Sequence, residues 1–373
     1  MEKAKISVIQ LFAMMFLFEL GTMLVVNYGV SAQKDSWLAI LLGMCLGIAL
    51  FLIYYALFLQ YPNLPLTGYA REIFGKYIGW LIGLIYAIFF LYEASRGLRD
   101  FGDLLLSSTM NETPLSAINI LMILAISYVL YLGIEVLGRT AEVFIVILVF
   151  FGFTGNFLVY LSGKIDLHNL QPFLENGWKP VLTTVLPLTT FNPFGEAIAF
   201  AMLLPYLNRA KSVKRVWLSA VLLSGFILSY TAGLNIATLG VEQVGRSTFP
   251  LLSTIGKVDI LDFIQRLDAI VVFTFLITMF FKISIFFYCG IIGIADLFKI
   301  KNHQEIVLPL SIIVFFLSEI IASNFLEHME EGLKVVQYPI HLPLMVIIPL
   351  FMLFITLIRN RFKKKGILKS NST

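Results

Sequence analysis

The sequence predicts an all-α polytopic membrane protein of about ten transmembrane helices, in two inverted five-span halves whose first and sixth helices are broken at mid-membrane. Three observations carry this reading. The 373 residues are 59% hydrophobic and 13% charged, with mean hydropathy +0.89, whereas a soluble domain carries charge at roughly a quarter of its positions. Apolar runs of roughly 20 residues, enough to cross a bilayer at about 1.5 Å per residue, recur along the chain. Two of them, at 8–29 and 181–207, hold an acidic residue beside a glycine near their midpoints.

The spans fall near 8–29, 37–60, 77–106, 115–134, 140–162, 181–207, 216–239, 263–296, 305–324 and 339–358. Short loops join most of them, so residues 1–373 read as a single integral membrane domain. Repeat one covers about 8–162 and repeat two about 181–358, followed by a basic tail at 359–373. Lys3 and Lys5 give the start a signal-peptide look, but the apolar run is too long and no small-residue cleavage site follows, so it reads as a retained first span. Of the 27 Lys and Arg, 17 fall on the side of the termini and 7 opposite, which places both termini in the cytoplasm.

The sixth span, VLTTVLPLTTFNPFGEAIAFAMLLPYL, cannot be one ordinary helix. Pro187 and Pro193 each remove an amide donor, Gly195 loosens the backbone, and Asn192 and Glu196 bring polar groups to bilayer depth. An interrupted helix survives in hydrocarbon only where its freed backbone groups face protein or a watery cavity. The break is therefore expected at Phe191 to Gly195, with half-helix ends pointing into a cavity. In the first span, Phe18-Glu19-Leu20-Gly21-Thr22 has the same character. Spans one and six are equivalent members of two five-span halves; five is odd, so the halves enter the membrane from opposite sides, with broken helices meeting at a midplane site. The alternative is that Glu19 only pairs with a neighbouring helix.

Two other spans hold ionisable groups. Glu93, Arg96 and Asp100 in the third are spaced to form a ladder on one helix face, either serving a ligand or neutralising one another. Lys282 sits deep in the eighth, where an ammonium needs a partner or a cavity; Glu19 or the carbonyls of the first break are the expected partners, as a tether or as part of a site.

Other patterns carry less. Gly240–Ser247 looks like a phosphate loop with Arg in place of Lys, but no buried strand precedes it. Residues 249–263 are apolar and too short to span, and read as a surface or re-entrant helix across the outer mouth. Cys45 and Cys289 read as buried thiols. His168, His303, His328 and His341 sit in or beside loops without metal-ligand spacing, and no catalytic motif appears, so no metal, cofactor, catalytic residue or nucleic-acid partner is expected.

Ten spans with broken first and sixth helices resemble the amino acid/polyamine/organocation superfamily, whose core is the LeuT-type five-plus-five fold. Within it, the lysine-rich start before ISVIQLF, the Leu20-Gly21-Thr22 break, Phe191 to Leu207 and the FFKIS of the eighth span look like the B subunit of spore germination receptors. The resemblance covers essentially the whole chain. It implies a subunit of the spore inner membrane that acts with A and C subunits, detects a small amino-acid-like or sugar nutrient and triggers germination; the alternative is a secondary transporter of amino acids or organic cations. The expected ligand site comprises Glu19, Gly21, Thr22, Tyr92, Phe191, Asn192, Phe194, Gly195 and Glu196, with Lys282, Glu93 and Arg96 as an ion-site-like group or tether. Lys282 is expected to stand where related symporters hold sodium between the first and eighth helices.

Overall fold

A computed structural model describes residues 5–26, 28–258 and 268–370, with side chains to Phe362. Segment 259–267 lies outside the described residues, and with it the last third of the expected mouth helix and the start of the expected eighth span.

The chain begins with α1, Val8–Leu20. Its start is fixed by a capping box, in which the Ser7 hydroxyl accepts from the Gln10 amide and the Gln10 side chain accepts from the Ser7 amide. A turn of 3-10 helix, Thr22–Leu24, follows the break. Next come α2 (Ser36–Gln60), the short α3 (Leu66–Phe74), α4 (Lys76–Ser108), α5 (Leu115–Leu132) and α6 (Ile134–Leu161).

The second half opens with the sixth span: α7 (Trp178–Thr184), a wide, doubly kinked stretch Val185–Gly195, then Glu196–Ala199 and α8 (Phe200–Leu203). It continues with α9 (Val213–Leu239), α10 (Val241–Arg246), α11 (Pro250–Gly256), α12 (Asp268–Phe298) and α13 (Gln304–Ile320). The last span starts early, with α14 (Phe325–Glu330), and runs through wide turns into α15 (Ile348–Ser370).

Seven helices among the described residues are long and apolar enough to cross a membrane, and an eighth is the bent pair Gln304–Ile320 and Phe325–Val335. The two expected spans missing from that number are the first and the sixth, which breakage divides into pieces too short to qualify alone. The helix at 249–263 is present in part as α11, with Thr254 and Ile255 buried and the Thr254 hydroxyl donating to Asn235 of α9.

Packing follows the inverted repeat. α2 lies along the sixth span, and in the matching place of the second half α9 lies along α1. α4 and α12, the third member of each half, form the most extensive helix pair. Where α3 intervenes between α2 and α4, α10 and α11 intervene between α9 and α12. The two broken spans also meet at one end, where Ile6 and Asn208 amides donate to Tyr206 and Ile6 carbonyls at 2.9 and 3.1 Å. The rim of the bundle is apolar and exposed, with Val146, Phe150, Phe153 and Tyr160 of α6 facing outward, the surface a lipid tail solvates. Cys289 is buried, but Cys45 is exposed on that rim, a correction to the expectation of two buried thiols.

Gly21 makes the first break possible. Its φ of +21° and ψ of −133° lie in a region that disfavours a side chain, and a Cβ would stand 2.8 Å from the Phe18 carbonyl oxygen and 2.5 Å from Lys282 Cδ. A Cβ on Gly195 would meet chiefly the Met345 sulfur, at 2.9 Å, on a side chain that can swing away. Thermal unfolding of the purified full chain should therefore separate the two glycines: Gly21→Ala loses about 1–3 kcal/mol, the cost of a strained backbone position, while Gly195→Ala stays within about 0.5 kcal/mol of wild type. Equal losses in both would show that the first break does not rest on the Gly21 conformation.

Candidate functional site

The two breaks face each other across α12. At the first, the Thr278 hydroxyl donates to the Gly21 carbonyl at 3.4 Å, and the Thr22 hydroxyl donates to Asp100 of α4 at 3.4 Å. At the second, Asn192 has φ −110° and ψ 117°, an extended residue inside a helical span. Its side-chain amide donates to the Leu188 carbonyl at 3.4 Å and to Gln337 Oε1 at 3.2 Å. Such partners satisfy backbone and side-chain groups that neither lipid nor the helix could.

Lys282 joins the breaks. Its stem lies against Gly21, its Nζ is 5.9 Å from the centre of the Phe18 ring, and it pairs with Glu196 Oε2 at 2.6 Å, both side chains almost wholly buried. Here the structure corrects the expected partner. The ammonium touches the first break by its stem and gives its charge to the sixth, because α12 runs between the two and Glu196 heads the helical piece beyond the second break.

The third wall belongs to α4 and the last span. Glu93 Oε1 lies 2.9 Å from His341 Nε2, and Asp100 Oδ1 lies 2.8 Å from His328 Nε2. Arg96 donates to Tyr92 Oη, Glu331 Oε2 and the His328 carbonyl at 3.2, 3.3 and 3.0 Å. The ladder expected within α4 is therefore not made: Arg96 reaches across to the last span, and each acid takes a histidine. A guanidinium has five donors, and only a neighbouring element offers acceptors enough for them. Gln337 donates through Nε2 to the Gly332 carbonyl, which leaves its Oε1 to accept from Asn192 and from His341 Nδ1 at 3.1 Å. His341 thus has an oxygen within hydrogen-bond distance of each ring nitrogen, which fixes the ring between Glu93 and Gln337.

These groups enclose a polar cavity of about 30 Å³, lined by Thr22, Asn192, Glu196, Lys282, Glu93 and Arg96 and by Tyr28, Asp100, Gln337 and His341. That is room for a water or two. Of the expected site residues, Thr22, Asn192, Glu196, Lys282, Glu93 and Arg96 converge there. Gly21 supports the wall behind Thr22. Tyr92 lies one turn away, its ring 5.7 Å below the Arg96 guanidinium. Phe191 stands behind the cavity, edge-on to His341 at 6.4 Å. Phe194 packs instead against Gly47 of α2, and the Gly195 carbonyl faces Tyr54. Glu19 is fully buried beside the cavity without lining it.

Sequence reasoning missed His328, His341 and Gln337, which lie on a helix and not in loops. The signal was present: YPIHLPLMV sets one histidine in an apolar run, a buried position that demands a partner. Among the described residues no group of three or more His, Cys, Asp or Glu could hold a metal.

The family profile described as "Spore germination protein" matches residues 5–326. The chain belongs to this spore germination protein family. It is 40% identical to spore germination protein KB of Bacillus subtilis (strain 168) over 366 residues, 98% of each chain. It is also 24% identical to spore germination protein A2 of the same organism, over 76% of this chain and 77% of that one. Among solved structures, MhsT in complex with L-phenylalanine superimposes with TM-score 0.65 over 95% of this chain and 99% of that one, at 13% identity. Mhp1, a nucleobase-cation-symport-1 family transporter, gives TM-score 0.64 over 89% and 75%, at 14% identity. These likenesses establish the LeuT-type fold for this spore germination protein; its site chemistry is its own.

Removing one member of a buried ionic pair leaves a charge without compensation, at a cost of about 3–5 kcal/mol. His341→Leu should therefore destabilise the full chain by that amount in thermal unfolding, and His341→Gln, which still donates to Glu93, by less than half of it. A neutral His341→Leu would mean that the Glu93–His341 pair does not hold the last span to α4.

Proposed function

We propose that this spore germination protein is the nutrient-binding membrane subunit of a germination receptor, acting with A-type and C-type partner subunits in the spore inner membrane with both termini in the cytoplasm. The observation that carries the reading is the polar cavity between two broken helices, where three carboxylates, a guanidinium and an ammonium gather at bilayer depth. Ionisable groups in that position are costly unless they serve a site.

A small zwitterion suits the chemistry. Its carboxylate would take Arg96 and the amides beyond Gly21, where a half-helix end favours an anion. Its ammonium would take Glu196, Glu93 or Asp100. The cavity as described is too small for such a ligand, so binding requires the walls to part. The nutrient then favours an open arrangement over a closed one, and the partner subunits read that difference in affinity. Lys282 supplies a built-in positive charge where α12 meets the two breaks, so ligand binding is sodium-independent. Nothing in the cavity calls for an enzymatic role. A transporter would use the same fold, since fold does not fix function.

Spores whose only copy of this chain carries Glu196→Gln should need at least ~10-fold more nutrient for half-maximal germination, the loss of roughly 1.4 kcal/mol of binding. Their receptor should still assemble, and changing sodium at fixed ionic strength should leave wild-type sensitivity unmoved. A wild-type response from Glu196→Gln would place the ligand elsewhere. Accumulation of labelled amino acid by proteoliposomes holding this chain alone would replace the sensing role with transport.

A further inference from the structure

Glu19 is used by none of the contacts above. Its side chain is 0% exposed, and neither carboxylate oxygen has a hydrogen-bond partner among the described residues. The charged groups that face it are Glu196 of the sixth span and Lys282 of α12. The other helices packed on α1 are α6 and α9, and neither buries a charged side chain. One ammonium thus serves a neighbourhood of two buried carboxylates and is committed to one of them, Glu196, at 2.6 Å. A second carboxylate left ionised there would be a buried charge without hydrogen bonds, a cost of many kcal/mol that a group avoids by taking up a proton.

We propose that Glu19 is a proton-binding site and that its proton is exchangeable with Glu196 through a change of partner by Lys282. In the arrangement described, Glu19 carries the proton and Lys282 pairs with Glu196. In the other, the O–H bond of Glu19 breaks, Glu196 gains the proton, and the ammonium turns to the Glu19 carboxylate. One proton, two carboxylates and one ammonium appear on both sides, so charge balances and no other reactant is needed. Two carboxyl groups close together and sharing a single proton are a familiar outcome of like-charge repulsion.

The geometry favours this exchange. The Lys282 stem already lies on Gly21, and its head lies near the Phe18 ring, so the residues on either side of Glu19 are in its reach. A swing of the head moves the charge of α12 from the sixth span to the first without moving α12. The proton would therefore select which broken helix α12 holds. This inference concerns the protonation of α1 and does not depend on which nutrient the site takes.

The test is infrared spectroscopy of the purified full chain in lipid nanodiscs at neutral pH, in H2O and D2O, without nutrient. The wild type should show the carbonyl stretch of a protonated, weakly hydrogen-bonded carboxylic acid. Glu19→Gln should remove it and keep its thermal midpoint within ~2 °C of wild type, because the amide reproduces the neutral acid in shape and charge. Glu93→Gln should leave the band in place. Glu196→Gln should also remove it, since Lys282 then has only Glu19 to pair with. A wild-type spectrum without the band, a band that survives Glu19→Gln, or a fall of more than 5 °C in the Glu19→Gln midpoint overturns the proton site. Survival of the band in Glu196→Gln overturns the exchange.

Discussion

The ion pair between Lys282 and Glu196 is the constraint on which the rest of the structure turns. A membrane interior tolerates neither an isolated ammonium nor an isolated carboxylate, and it tolerates a broken helix only against protein or a cavity. Here the two problems solve each other. The unwound stretch before Glu196 is held by the charge on α12, and the stem of the same lysine fills the space that Gly21 leaves at the first break. Remove the ammonium and Glu196 has no cation at equal depth; remove Glu196 and the ammonium has only Glu19 of the first break to turn to, so in either case α12 loses its hold on the sixth span.

Around that pair the site is built by helices that approach from opposite halves of the repeat. α4 brings Glu93, Arg96 and Asp100; the last span brings His328, Glu331, Gln337 and His341; and each charged group of α4 finds its ionic partner across the gap. The consequence is mechanical. A wall whose ionic contacts all cross between elements holds the cavity shut while they are made, and the proposed nutrient opens it by offering these groups charges of its own. The cavity's small volume and its polar lining are two sides of that arrangement.

Much of this was legible in the chain. Composition and span length fix the class, and the prolines and Gly195 in the sixth span, with Gly21 in the first, fix where the helices fail. Charge partners were less legible. The spacing of Glu93, Arg96 and Asp100 suits a ladder along one helix, but spacing cannot say whether another helix offers better acceptors, and here it does. Lys282 was visible as a buried cation, yet its choice of Glu196 over Glu19 depends on how α12 threads between the breaks. Phe194 shows the same limit: a large apolar residue beside a break suggests a pocket wall, and the small Gly47 on α2 takes it instead. The histidines were passed over because they stand at the edge of an apolar run, where a late-starting loop and an early-starting helix look alike.

The mutual support of Lys282 and Glu196 is tested most directly by a double-mutant cycle on Lys282→Met and Glu196→Met, read as thermal unfolding of the full chain in detergent. Lys282→Met strands the Glu196 carboxylate, Glu196→Met takes the ammonium off the sixth span, and the double removes both charges, so the cycle should show a coupling energy of about 0.5–3 kcal/mol with the double variant more stable than Lys282→Met. Losses that simply add, to within about 0.3–0.5 kcal/mol, would mean that the two residues do not support one another and that the breaks are held by something else.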